Sequence, residues 1–215
     1  MRKHMSWRMI FLSAGLAVFL MFASYHPALA DDYICTGTTG AITVDNVIVP
    51  DNATCTLNGT VVEGNIQVEN NATLIANQVD VDGNVQAEDA ARVDVQANST
   101  VGGNIQIFQS GSSNILSVDI DGDLQFDENS GALRADNNTI GGNLQAFQNT
   151  GGLTITNNRI DGDLQCSANN PPPVGEGNIV EGSIEGQCAS MSGPSPTPPP
   201  PADLPVKIYL PTALK

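Results

Sequence analysis

Two segments of the chain read IDGDLQ, and each sets two carboxylates two residues apart: Asp121 with Asp123, and Asp161 with Asp163. Carboxylate pairs can hydrolyse glycosidic bonds, and groups of hard oxygen atoms can hold Ca2+. The two segments lie two repeats apart, so on stacked strands like positions should stand about 9.6 Å from one another. That distance falls near the upper end of the inverting range. A glycosidase must also keep one carboxyl protonated, and a water-facing row of acids offers nothing to do so. The expected state is a solvated acidic face. Asp121, Asp123, Asp161 and Asp163 are the candidate set for Ca2+, expected to be held weakly at most because the glycine-rich nonapeptide of calcium-binding β-rolls is absent, and no other cofactor is expected.

Other chemistries need residues that the chain confines to its first thirty positions. His4, His26 and Trp7 all lie there. Beyond them, Ser-His-Asp, Cys-His and His-metal catalysis have no histidine to use. Twenty-three acidic residues then face five basic ones, a net charge of −18. Such a surface repels nucleic acid and anionic lipid. A lyase for anionic sugars needs cations near the scissile bond, and the central region offers only Arg92, Arg134 and Arg159. The chain reads as a non-enzyme that does not bind nucleic acid.

What positions these residues is a repeat. VEGNIQ, VDGNVQ, VGGNIQ, IDGDLQ, IGGNLQ, IDGDLQ and VEGSIE follow one another, with their central glycines, Gly64 to Gly182, 19 or 20 residues apart. A fixed period of this size marks a solenoid whose coils bury their apolar faces against their neighbours. Propeller blades need about twice the period. Parallel crossovers are nearly always right-handed. The expected fold is therefore all-β, a right-handed parallel β-helix with about 20 residues per coil and 7–8 coils.

Strand alternation sends Ile140, Leu144 and Ala146 inward and Gly141, Asn143 and Gln145 outward. The central glycine allows a bend or a close backbone approach. Asn98-Ser99, Asn137-Asn138 and Asn157-Asn158 fall at equivalent corners, where Asn tolerates the left-handed conformation. Stacking should place Gln67, Gln86, Gln106, Gln125, Gln145 and Gln165 in one exposed ladder, beside a second made of Asn65, Asn84, Asn104, Asp123, Asn143 and Asp163. Phe108 and Phe147 share an outward register and Phe126 should point inward. The outward pair, with Gln106, Gln125 and Gln145, is the candidate binding surface, for sugar stacking or assembly.

Cys35, Cys55, Cys166 and Cys188 allow three pairings. A separation of about one coil within each pair favours Cys35–Cys55 and Cys166–Cys188, one at each end of the solenoid, where caps are needed. Metal binding by such widely spaced cysteines is disfavoured. Residues 1–30 read as a signal peptide, with Arg2, Lys3 and Arg8, an apolar run from Met9 to Ala23 and the small-x-small site Ala28-Leu29-Ala30. The solenoid should occupy 31–190, followed by a stiff Pro-rich linker (191–205) and an apolar, basic tail (206–215), disordered or used for docking or sorting. Cleavage would leave no membrane span and a secreted or surface-held protein.

Val49 to Thr60 (VPDNATCTLNGT), the GN(I/L)Q repeats and Gly177 to Ala189 (GNIVEGSIEGQCA) resemble a group of secreted bacterial repeat proteins of unassigned function. The V/I-x-G-N/D-I/L rhythm is similar to that of the bactofilins, polymer-forming β-helix proteins. That resemblance implies self-association as a scaffold, although the signal segment, the cysteines and the Pro-rich tail depart from the bactofilin pattern. The resulting expectation is a non-catalytic structural, adhesive or envelope-scaffold solenoid whose partner is itself or an envelope or extracellular glycan or protein. The alternative is a carbohydrate-binding or carbohydrate-active β-helix using the acidic ladder.

Overall fold

A computed structural model describes residues 32–191. The signal segment and nearly all of the linker and tail lie outside the described residues. The fold is a β-solenoid of three parallel sheets. The first has nine strands, from Asp32–Ile34 to Ile184–Gly186; the second has seven, from Thr38–Thr39 to Leu153–Thr156; the third has eight, from Thr43–Val44 to Ile179–Val180. One coil shows the plan: Thr139–Ile140 in the third sheet, Leu144–Phe147 in the first, Leu153–Thr156 in the second, then Arg159–Ile160 in the third again. Each residue stacks on its counterpart one coil away, as in Leu124, Leu144 and Leu164.

The interior is built from these apolar columns. Val62, Val81, Val101, Ile120, Ile140 and Ile160 form the inner column of the third sheet and are all buried. Phe126 points inward as expected, is fully buried, and lies between Ile107 and Ala146, so a small neighbour accommodates a large ring. Burying each such side chain contributes about 1.5–3 kcal/mol.

The VxGNxQ motif is not one strand. It breaks at a corner, with Ile140 ending one strand and Leu144 beginning the next. The central glycine sits at that corner because the preceding coil is too close for a side chain. A Cβ on Gly162 would lie 2.6 Å from the carbonyl oxygen of Gly142 and would also strike Asn143 Oδ1. The Asn/Asp column does more than pair amides: Asn65 N–H donates to Asn46 Oδ1 at 3.0 Å, Asn84 N–H to Asn65 Oδ1 at 2.9 Å, and Asn143 Oδ1 accepts from Asp163 N–H at 2.8 Å. Each side chain thus caps the backbone of the coil that follows.

The other two corners turn through left-handed residues. Gln109, Glu128, Gln148 and Ala168 make one, and Asn98, Ser117, Asn137 and Asn157 make the other, with φ between 49° and 61°. The residue after each turns inward. In the C-terminal coils that residue is asparagine: Asn129, Asn149 and Asn169 at the first corner, Asn138, Asn158 and Asn178 at the second, all buried. Asn149 shows the pattern. Its Nδ2 donates to Phe126 O (3.0 Å) and Asn169 Oδ1 (2.9 Å), and its Oδ1 accepts from Asn129 N–H (3.0 Å). These interior ladders were not expected from the repeat, which placed both residues of each Asn pair simply at a turn.

Disulfides join Cys35 to Cys55 and Cys166 to Cys188, the favoured pairing, and tie down the first and last coils. The second sheet stops early at the C-terminal end. Pro171 and Pro172 lead into the place of its next strand, Pro173 falls opposite Leu153, and beyond it only Val174 forms a bridge, to Thr154, with Glu176 O accepting from Asn157 N–H. Proline lacks the N–H that an added strand would need, so this edge is blunted.

Two expectations follow. Gly162→Ala should destabilise the protein by about 1–3 kcal/mol, the usual cost of overpacking against a fixed backbone, whereas Gly37→Ala, with no atom within 4 Å of the new methyl group, should be close to neutral in urea denaturation. Asn149→Ala should cost more than about 3 kcal/mol, because it strands several buried polar groups. Gln125→Ala on the outer face should cost less than about 1 kcal/mol on the same scale.

Candidate binding surface

The outer face of the first sheet carries two side-chain columns. In the glutamine column, Gln86 donates to Gln106, Gln106 to Gln125, Gln125 to Gln145 and Gln145 to Gln165, each at 2.9 Å. Gln165 then donates to Glu185 at 3.3 Å. Gln67 leaves the expected ladder: its amide donates to Glu69 within its own coil, at 2.7 Å. The nearby carboxylate is a stronger acceptor than a neutral amide.

Two residues further along each strand lies the second column: Glu88, Phe108, Asp127, Phe147 and Ser167. Phe108 and Phe147 do share the outward register two coils apart. They are half-buried, not fully exposed as the outward register suggested. Between them sits Asp127, whose Oδ1 is buried and has no hydrogen-bond partner. Desolvation, and then the charge of Glu128, hold the Asp127 carboxyl above the usual carboxylate range. Glu128 beside it accepts from Gln109 Nε2 at 2.8 Å. Shallow hollows of about 290 Å³ beside Gln86, Gln106 and Phe108, and about 250 Å³ beside Phe108, Asp127 and Glu128, adjoin along this face. Asp127 was missed in the sequence. Counting two residues on from each motif glutamine would have placed it between the phenylalanines.

The acidic pairs serve other ends. Asp123 Oδ1 accepts the N–H of Asn143, and Asp163 Oδ1 that of Ser183, at 2.6 and 2.7 Å. Asp121 and Asp161 are exposed at the corner, and Asp161 pairs with Arg159 at 3.2 Å. Among the described residues no three Asp, Glu, Cys or His side chains converge as a metal site. A wide shelf of about 560 Å³ on the third sheet gathers Asp80, Asp82, Asp119 and Asp121 around Thr100 and Gly102, and Thr100 donates to Asp80.

The three arginines among the described residues are each paired. Arg92 bonds Asp94 at 2.5 Å, Arg134 bonds Asp136 at 2.6 Å, and Arg159 bonds Asp161 and Glu181. Asp94 raises the guanidinium pKa of Arg92, first by hydrogen bonding and then by charge. The Asp136 carboxyl is held low, chiefly by the hydroxyl of Thr156, with Asn157 and Arg134 adding to the effect against desolvation. Comparison of the chain with protein-family models, curated proteins and solved structures finds no match.

Asp127 makes a pH prediction. With its folded pKa above the unfolded value of about 3.9, the unfolded chain releases this proton more readily, so stability from this group is present at low pH and falls as pH rises through the folded pKa. Asp127→Asn should therefore raise Tm at neutral pH, and the gain should vanish below about pH 4. A Tm gain that does not change with pH would separate the effect from ionisation.

Proposed function

We propose that this protein is a non-catalytic, extracytoplasmic β-solenoid that acts as a structural or adhesive scaffold at a cell surface. The observation that carries this reading is the pairing of a disulfide at each end with an interior made wholly of stacked repeats. Disulfides persist in oxidising compartments, which agrees with the signal-like segment at residues 1–30. Among the described residues no helix is long and apolar enough to cross a membrane. The Pro-blunted edge favours a discrete rod of roughly 35 Å, on a coil rise of about 4.8 Å, over an open bactofilin-like filament.

The carbohydrate alternative shifts its ground. Asp123 and Asp163 of the acidic ladder already accept backbone N–H groups, so a sugar is better served by the aromatic column of the first sheet. Ca2+ remains open to Asp121 and Asp161, as a weakly held surface ion at most.

Fractionation of producing cells, followed by light scattering and negative-stain microscopy of the full chain, tests the scaffold reading. The expected product is outside the cytoplasm, free of reactive thiols and monodisperse. Reduction should lower its stability by about 3 kcal/mol per disulfide, the loop-closure value for rings of this size. A reduced cytoplasmic protein would refute the localisation, and filaments in the oxidised state would replace the discrete rod with a self-assembling scaffold.

A further inference from the structure

We propose that the outer face of the first sheet is a binding strip for an extended, uncharged β-linked polysaccharide, with Phe108 and Phe147 as stacking platforms and Asp127 and the glutamine column as its hydrogen-bonding flank. This inference rests on the adhesive reading above and gives it an occupant.

The first argument is the cost of the arrangement. Three phenylalanines lie in the described chain; Phe126 builds the core, and the other two face outward in one column. Placed between them, Asp127 buries Oδ1 with no hydrogen-bond partner, and the backbone N–H of Glu128, which favours the ionised carboxyl, does not offset its desolvation. An unpaired polar atom of this kind weakens the fold. Residues that break the local rules of a repeat in this way tend to mark sites of function. A hydroxyl group brought between the two rings would supply the missing donor.

The second argument identifies the ligand by its chemistry. Phe108 and Phe147 stand two coils apart, about 9.6 Å, on a flat sheet. A β-linked pyranose chain is a flat ribbon that advances by close to one coil rise per sugar and presents apolar C–H faces to aromatic rings. The neighbouring glutamines repeat at the same rise. Each donates one N–H along the column, which leaves its second N–H and one oxygen lone pair for a ligand. Glu88 and Glu128 flank the strip, and the three arginines lie on the other two sheets, locked to acids. Anionic polysaccharides are therefore repelled. Curved α-linked chains do not match a straight row of platforms.

Affinity electrophoresis of the full oxidised chain tests this, in gels containing hydroxyethylcellulose (uncharged, β-linked), dextran (uncharged, α-linked) or polygalacturonate (anionic). Migration should be retarded by hydroxyethylcellulose and not by the other two. Phe108→Ala and Phe147→Ala should each weaken that retardation about tenfold, the scale of one lost aromatic contact, while their melting curves show a folded protein. Asp127→Asn should weaken binding while raising Tm at neutral pH, two opposite changes that a purely structural role would not give. Thr154→Ala, on the outer face of the second sheet, should leave the retardation unchanged. The proposal is overturned if hydroxyethylcellulose has no effect, if the folded phenylalanine variants bind like the parent, or if dextran or polygalacturonate retards equally. Any of those results leaves an exported, monodisperse rod in place, so the scaffold reading stands or falls on its own measurements.

Discussion

A chain that turns a corner inside a solenoid leaves backbone N–H and C=O groups facing an apolar interior, and burying them unpaired costs more than any single side chain gains. The structure meets that constraint with the next coil's side chain. At the first corner, Asn129, Asn149 and Asn169 donate to the carbonyls of Ile107, Phe126 and Ala146 and accept the N–H of the preceding corner residue. Asn138, Asn158 and Asn178 do the same at the second corner for Ile115, Ala135 and Ile155. Asparagine suits this task because one planar amide carries both a donor and an acceptor. N-terminal coils use alanine, serine, threonine or valine at these places; Ser99 and Ser110 hydroxyls accept from Val79 and Ala90 N–H, and Thr60 donates to Gly40 O. The interior is thus most polar toward its C-terminal end.

With the corners and nearly all of the core satisfied from within, Ser113 Oγ being a buried exception, the outer faces are free to vary. The second and third sheets carry the arginines, each neutralised by an acid on its own coil or the next. The more exposed of these pairs add little stability, whereas Asp94 is buried beneath its half-exposed arginine; all of them offset positive charge at the surface. The first sheet carries no arginine; its outer face holds amides, two rings and unpaired acids such as Glu88 and Asp127. A scaffold that holds its side chains in straight columns therefore offers three different surfaces on one rod.

Much of this was legible in the chain. The period gave the coil, strand alternation gave the inner columns, and Phe126 could be placed inside from a one-residue offset. The cysteine separations of about one coil favoured the observed pairing, although the partners are offset by two residues from strict stacking, Cys166 lying opposite Gly186. What could not be read came from contacts between coils. Gln67 carries the same motif as Gln106, yet Glu69 two residues away captures its amide. The motif around Gly142 looked like one strand, because the corner is imposed by a neighbour's carbonyl and not by local sequence. Asn138 and Asn158 read as turn residues, which they are not; their partners at Asn137 and Asn157 turn the chain, and they fill the interior. Asp127 carries no motif at all, and only its place between two rings makes it unusual.

The glutamine column also has a direction. From Gln86 to Gln165 each amide points its N–H toward the C-terminal coil and its oxygen toward the N-terminal one. Turning one amide over would bring two N–H groups face to face on one side and two oxygens on the other. The column can therefore reverse only as a whole, as a chain of mutually polarised bonds behaves. Glu185 settles which way it points, because an ionised carboxylate at the C-terminal end can only accept. One acid at the end of the rod thus sets the orientation of five side chains along its length.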